Sequence, residues 1–360
     1  MIEIRHLKLI KTIAEVGSLQ KAARELHVSP SALSHQLRQL EERLGVRLFV
    51  RTPNRLVFTS AGQEFRDRAD QLLDDVDGLY DRMQALQQSN KAAYIHGYST
   101  METNRLYDQA DSTATFLHWD SYWPNGTTIL EAGCGVGAQT RYIAAQNPDC
   151  QFVAVDLVEA QLVEARRLTA AQSLSNVRFQ QADLMNLPYA RDTFDHVFVC
   201  FVLEHLADPK GVLRELWSVL RPGGSITVIE GDHGSTYFYP DSEAARRAVA
   251  AQVALQEQGG GDANIGRKLY PLLQATDYES IVVSPRQIYV DDSKPALVDG
   301  FILKTFTAMI AGVAETAIAE GAIAPDTMKQ GLADLKRTAA GGGTFSYTFF
   351  KAIGLKPEAQ

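Results

Sequence analysis

The chain has little cysteine. Its three residues of that type, Cys134, Cys150 and Cys200, are too few and too scattered for a disulfide framework or a zinc site, so no metal is expected. No uninterrupted run of about 18 apolar residues is seen, so a membrane span is not expected. The amino-terminal MIEIRHLKLIKTIAEVGS lacks the apolar stretch and cleavage site of a signal peptide. These absences make a reducing cytoplasm the expected compartment and leave no role for a membrane. Net positive charge is also missing. At −8, the chain is a poor candidate for coating nucleic acid along its whole length.

What is present is enough for two domains: 360 residues, 45% hydrophobic and 22% charged. The charge is unevenly spread. Residues 1–68 hold 12 Lys and Arg against 7 Asp and Glu, a surplus of +5, which leaves −13 for the rest. A basic head on an acidic body points to two different partners.

The head reads as short helices with tight punctuation. Leu7, Ile10, Ile13 and Ala14 mark one helical face, and Gly17-Ser18 ends that helix, with Ser18 placed to cap the next over 19–26. Ser29-Pro30 opens a third helix, which runs to about Leu44 and stops at Gly45. This is helix-turn-helix spacing. Residues 46–60 alternate apolar and basic about Pro53-Asn54 and read as a two-stranded wing. On the third helix Pro30, Ser31, Ser34, His35 and Arg38 are small or polar, as contact with base edges requires. Arg47, Arg51 and Arg55 on the wing suit phosphates or the minor groove. A small helical dimerisation module with solvated charges has the same spacing.

Residues 61–88 read as one long helix. Phe65, Ala69, Leu72, Val76, Leu79, Met83 and Leu86 recur at intervals of four and three, an a/d seam. Such a seam pairs with a second copy of the chain or lies on its own domain. The first of these predicts a homodimer.

The head resembles the winged helix-turn-helix of LysR-type transcriptional regulators, through GSLQKAARELHVSPSALSHQLRQLEERLGVRLFVRTPNRLVFTSAG. Within that family it is most similar to methionine-regulon activators. The resemblance implies double-stranded DNA as partner, dimerisation through the following helix and a partly palindromic site. It ends near residue 90, and the two periplasmic-binding-protein-like lobes usual in the family are not found after it.

Residues 89–127 read as a polar, aromatic-rich connector. Beyond it strands near 128–132, 151–156, 177–182, 196–200 and 225–230 alternate with helices, the pattern of a parallel sheet covered on both faces. Late strands are expected near 280–290 and 344–352, with a helical cap over about 293–340. TILEAGCGVGA, Thr128 to Ala138, is a strand, a glycine-rich turn and a helix start. Gly133, Gly135 and Gly137 allow a ligand close to the backbone. Glu131 precedes them and suits a cationic group better than a pyrophosphate. Asp156 ends the second strand, where a carboxylate accepts ribose hydroxyls. Asp183 ends the third, where it can accept from an adenine amino group. Taken singly, Glu131 serves equally as a helix-dipole partner and Asp183 as a helix cap. Together they sit at the tips of three successive strands, where such sheets bind ligands.

This set, with VAVD, QADLMNLPYARDTFDHVFVCFVLEHL and LRPGGSITVIE, resembles class I S-adenosylmethionine-dependent methyltransferases over about residues 94–355. The expected architecture is therefore α/β: a seven-stranded Rossmann-like methyltransferase domain with a helical cap, last strand antiparallel. It is preceded by a helical winged helix-turn-helix domain and a dimerisation helix. The resulting boundaries are 1–60, 61–90 and 91–360. The resemblance implies S-adenosyl-L-methionine as cofactor. Glu131, Gly133, Gly135 and Gly137 would hold its methionine half, Asp156 its ribose, and Asp183 with Leu184 its adenine. Leu157, Cys200 and Tyr98, the last in a Tyr94–Tyr98 lid, complete the expected contacts.

Candidates for work on the methyl acceptor are His205 with Glu204 after the fourth strand and His233 with Asp232 after the fifth. His205 serves equally as a cofactor-packing or helix-capping residue. Asp232-His233 is not a metal site by spacing. Tyr237, Phe238, Tyr239, Arg267 and Tyr270 are a possible pocket lining. A small-molecule acceptor is the leading expectation. The alternative is a regulator whose body senses the cofactor or its product. DNA methylation lacks support: the loop after the fourth strand reads Phe201-Val202-Leu203-Glu204-His205, not an Asp/Asn-Pro-Pro-aromatic motif, and no Pro-Cys pair exists.

Overall fold

The computed structural model describes residues 2–26, 28–51, 56–69, 72–73, 96–98 and 100–358. The chain divides into two compact units, Met1–Gln88 with Gly97–Met101, and Ser89–His96 with Glu102–Gln360.

In the first unit α1 (Ile4–Val16), α2 (Leu19–Glu25) and α3 (Pro30–Leu44) pack about Leu9, Ile10, Ile13, Ala22, Leu33, Leu37 and Leu40. Ala14 is only half-buried, so the face of α1 is narrower than expected. Ser18 stands at the cap position of α2, but its side chain makes no capping bond. Ser29 does cap: its Oγ accepts from the Ala32 N–H at 3.2 Å, and Pro30 follows where no donor is needed. β1 (Phe49–Arg51) and β2 (Leu56–Phe58) pair antiparallel as the expected wing. The wing is tied to α3 by Glu41, whose Oε1 accepts from the N–H groups of Leu48 at 2.8 Å and Phe49 at 3.1 Å.

Residues 60–69 form α4, where the long helix is expected to begin. Its Ala69, with Leu73 and the half-buried Phe65, packs against Leu7 of the same unit. The first positions of the seam are therefore used within the chain, while Leu72 is 49% exposed. Val76, Leu79, Met83 and Leu86 lie outside the described residues, as does Arg55.

In the expected connector the structure has a helix, α5 (Thr100–His118), that the sequence reading missed. Then follow β3 (Thr128–Ala132), α6 (Thr140–Gln146), β4 (Gln151–Asp156), α7 (Glu159–Ala171), β5 (Val177–Gln181), β6 (Phe194–Cys200), α8 (Pro209–Val219) and β7 (Leu220–Tyr239). After them come α9 (Glu243–Gln258), α10 (Leu269–Gln274), β8 (Glu279–Val290), α11 (Pro295–Ala319), α12 (Pro325–Arg337) and β9 (Thr344–Leu355).

The sheet order is β5-β4-β3-β6-β7-β9-β8. The first five strands are parallel, and the last, β9, runs antiparallel between β7 and β8. Successive strand residues face opposite layers. Ile129, Phe152, Phe198 and Ile229 pack against α9 and α11, while Leu130, Val153, Val197 and Val199 pack against α8. The chain runs outward from β3 through β4 to β5 and then crosses back to β6. That reversal opens a crevice at the carboxyl ends of β3 and β6.

Two elements differ from expectation. β7 has 20 residues and runs well past the expected 225–230, so Asp232 and His233 lie within a strand and not after one. The pairing slips between Asp232 and Tyr237. In addition, α11 is long and apolar enough, by length and composition, to cross a membrane, because its few charged residues are spaced widely. Its Phe301, Ile302, Phe306 and Ile310 are instead buried in the core of this unit.

Candidate functional site

The turn after β3 is built by backbone bonds to the neighbouring strand. The N–H groups of Gly133 and Cys134 both donate to the Val155 carbonyl, at 2.8 and 2.9 Å. The turn needs glycine at two places for different reasons. Gly137 has φ 74° and lies where a Cβ would meet the Ala165 Cβ at 3.0 Å, so it lets α7 close on the turn. Gly135 has φ 51° and open space where its Cβ would be, so its backbone faces the crevice bare.

Three acids border this turn. Glu131 is 3% exposed, and its Oε2 has no hydrogen-bond partner. Burial pushes its carboxyl up to about 8, the Thr140 hydroxyl opposing and Asp156 adding to the rise. Asp156 at the end of β4 accepts from the Gly135 N–H through Oδ2 (2.8 Å) and from the Val158 N–H through Oδ1 (2.9 Å). Its carboxyl is raised, mainly by burial. Asp183 stands two residues past β5, in a tight turn bridged to Asn186, its Oδ1 accepting from the Met185 N–H at 3.0 Å. No helix begins there, so it is not a cap. Leu184 is half-buried, Leu157 is 38% exposed, and Cys200 closes β6 with its thiol pushed up by burial.

Beside the carboxyl end of β6, and bordered by β7, lies a cavity that opens to solvent. Phe201, Phe301, Phe306, Tyr347, Phe349 and Met309 form its apolar wall. Phe201 adopts φ 59°, a conformation an aromatic residue rarely takes, directly after β6. The polar side holds His96, Arg105, Glu204, His205 and His233. Arg105 is clasped by Glu102, Nε to Oε2 at 2.7 Å and Nη2 to Oε1 at 2.6 Å. Burial lowers all three histidines, His205 to about 4, and raises Glu204. Behind them Glu230 is fully buried, its Oε1 accepting from Val202 N–H (3.0 Å) and Leu203 N–H (2.8 Å).

Comparison with known proteins gives two separate matches. Residues 4–63 match the bacterial regulatory helix-turn-helix protein, lysR family, and residues 130–228 match a methyltransferase domain. The chain joins a LysR-type helix-turn-helix domain to a methyltransferase domain. Methyltransferase GfsG of Streptomyces halstedii is 32% identical over 129 residues, 36% of this chain and 42% of that protein. The HTH-type transcriptional regulator MetR of Escherichia coli K12 is 45% identical over 91 residues, 25% of this chain and 27% of that one. The chain thus spans less than half the length of either curated relative. Among solved structures, the YcgJ protein of Bacillus subtilis has a TM-score of 0.46 at 16% identity, covering 69% of this chain and 99% of that one.

The fold brings Glu131, Gly133, Gly135, Gly137 and Asp156 together, and His205 and His233 into the cavity. It places other expected residues elsewhere. Asp232 is 2% exposed and clasped by Arg267 at 2.7 and 2.6 Å, so its carboxylate is already committed. Tyr237 and Tyr239 are 71% and 63% exposed, Tyr270 faces solvent, and Phe238 packs on the core; none lines the cavity. Tyr98 groups with the first unit and is 37% exposed. Sequence reasoning missed His96, Arg105, Met309, Tyr347 and Glu230. An i,i+3 Glu-Arg pair on an unrecognised helix was one available signal. An acid closing an apolar strand was another.

In the head, Ser31, His35 and Arg38 are exposed and Ser34 half-buried on α3, opposite the buried Leu33, Leu37 and Leu40. Arg38 approaches Glu42 at 3.8 Å on the surface. Arg51 is placed by its backbone in β1.

Proposed function

We propose that the body is an S-adenosyl-L-methionine-dependent methyltransferase for a small molecule, and that the head binds double-stranded DNA as a homodimer. The observation that carries the first part is the Glu131 carboxylate, buried beside the glycine turn with Oε2 unpartnered. A buried acceptor lacking a donor costs about 1–3 kcal/mol, so it calls for a ligand group that donates. An ammonium group answers that need, and the two carboxylate oxygens of Asp156 have remaining lone pairs for two hydroxyls. A cationic amino acid joined to a nucleoside supplies both. Asp183 and Leu184 would then border its base.

The cofactor supplies an electrophilic methyl group on a sulfonium. The chain's part is to fix that group, present an acceptor within about 3–3.5 Å and exclude water. The turn and Glu131 hold the donor end, and the aromatic wall keeps the acceptor cavity dry. Tyr347, His205 and His233 line the cavity on its acceptor side, and burial lowers both histidines, favouring their neutral forms. Three free thiols, Cys134, Cys150 and Cys200, fit work in the cytoplasm.

Calorimetric titration with S-adenosylhomocysteine tests the site. The wild type is expected to bind, and Asp156→Ala to lose at least tenfold in affinity, because both ribose contacts go. Absence of binding by the wild type refutes the reading. A labelled methyl group carried from the cofactor to any compound of a metabolite extract supports the enzyme. Cofactor-dependent DNA binding without any transfer would make the body a sensor instead.

A further inference from the structure

We infer that the acceptor is an uncharged, ring-bearing hydroxyl compound whose hydroxyl donates to Tyr347, with His233 taking the proton through it. This rests on the cavity being the acceptor site of the methyltransferase proposed above.

The wall argues for rings. Phe301, Tyr347 and Phe349 stand tilted or edge-on to one another, and Phe306 to Tyr347, at centroid separations of 4.7–6.0 Å, a wall on which a further ring can pack in the same way. The polar side argues for neutrality. Arg105, the single Lys or Arg among the described lining residues, spends its charge on Glu102. Glu204, the single carboxyl there, is pushed by burial towards its neutral form and receives Gln256 Nε2 at 3.2 Å. A charged acceptor would enter a cavity with an aromatic wall and no counter-ion set aside for it.

The hydroxyl contact follows from His233. Its Nε2 faces the Met309 Sδ at 3.3 Å, and a thioether accepts weakly but donates nothing, so Nε2 carries the hydrogen. Nδ1 then holds a lone pair and accepts from the Tyr347 hydroxyl at 2.9 Å. The Tyr347 oxygen is left with lone pairs, so it accepts from a ligand and has no hydrogen to offer. Gly231 makes this arrangement possible: a Cβ there would lie 2.4 Å from the Tyr347 hydroxyl. In the transfer, the acceptor oxygen gains its bond to carbon as the sulfur–carbon pair returns to sulfur. The acceptor proton passes to the Tyr347 oxygen while the Tyr347 proton passes to Nδ1, leaving an imidazolium that returns its proton to solvent after product leaves. Tyr347 touches the acceptor; in the relay His233 works through Tyr347.

Four naphthalene probes test this by fluorescence titration of the full chain, with and without S-adenosylhomocysteine: 2-naphthol, 2-methoxynaphthalene, 2-naphthoate and 2-naphthylmethylammonium. The wild type is expected to prefer 2-naphthol over its methyl ether by about tenfold, the worth of one buried hydrogen bond, and over both ions by more. Tyr347→Phe should remove the preference over the ether. His233→Leu frees the Tyr347 hydrogen, so ether affinity should rise, a gain that misfolding cannot produce. Tight binding of either ion, or of no probe, overturns the acceptor class. A preference over the ether that survives Tyr347→Phe overturns the relay. Failure of S-adenosylhomocysteine to bind speaks against the methyltransferase alone, because the unloaded cavity still reports on the probes.

Discussion

Glu131 keeps its proton up to about pH 8, because burial disfavours the charged form. An ammonium ligand needs the ionised form, so binding near pH 7 should release a proton. Calorimetry in two buffers of different ionisation heat should show that release, with affinity rising towards pH 8 and levelling above it. Glu131→Gln should abolish both effects. The same shift sets a stability trend. The folded value lies above the unfolded one of about 4.3, so the stabilisation is complete below that pH and is lost as pH rises through 8. At this scale the gathering of Glu131, the glycines and Asp156, the proposed donor half of the site, was legible in sequence, since they lie within or just after strands of clear pattern. The acceptor half was not. Tyr347 and Met309 reach His233 from elements 114 and 76 residues away, and no local spacing records such a meeting.

Helix α5 went unread because its buried face is made of small or polar residues. Ala110, Thr113, Ala114 and Leu117 follow the helical period, but only Leu117 stands out as apolar, and the buried Glu102 and Arg105 read as surface. β7 was read too short because glycine, aspartate and histidine at 231–234 look like a loop, whereas the strand continues through them and brings Gly231 and His233 to the cavity. The seven-stranded sheet with its antiparallel last strand was implied by family resemblance and stands in the structure; the order of the strands was not part of that reading. In the head, Glu41 links the start of the wing to α3. Glu41→Ala leaves the N–H groups of Leu48 and Phe49 without their acceptor and should cost about 1–3 kcal/mol. Chemical denaturation followed by circular dichroism checks this, and loss of DNA affinity should exceed the loss of helix.

Across the whole molecule, charge divides by function. In the proposed function the +5 head, and not the −13 body, is the part that meets phosphates. DNA affinity should therefore fall steeply with salt, with a logarithmic slope of about −0.9 for each phosphate contacted. Gel-shift titrations from low to moderate salt measure it, and a flat response would remove the electrostatic role of α3 and the wing. The slip in β7 bears on motion as well as geometry. Between Asp232 and Tyr237 the ladder gives way to hydroxyls: Ser235 Oγ donates to the Asp232 carbonyl at 2.6 Å, and Thr236 Oγ1 donates to the His233 carbonyl at 2.7 Å. Side-chain bonds of this kind open one at a time, whereas ladder bonds open with the sheet. Amide hydrogen exchange should therefore find a fast-exchanging window at 234–236 between two slow stretches of one strand, letting the residue that receives the proton shift while the sheet holds still.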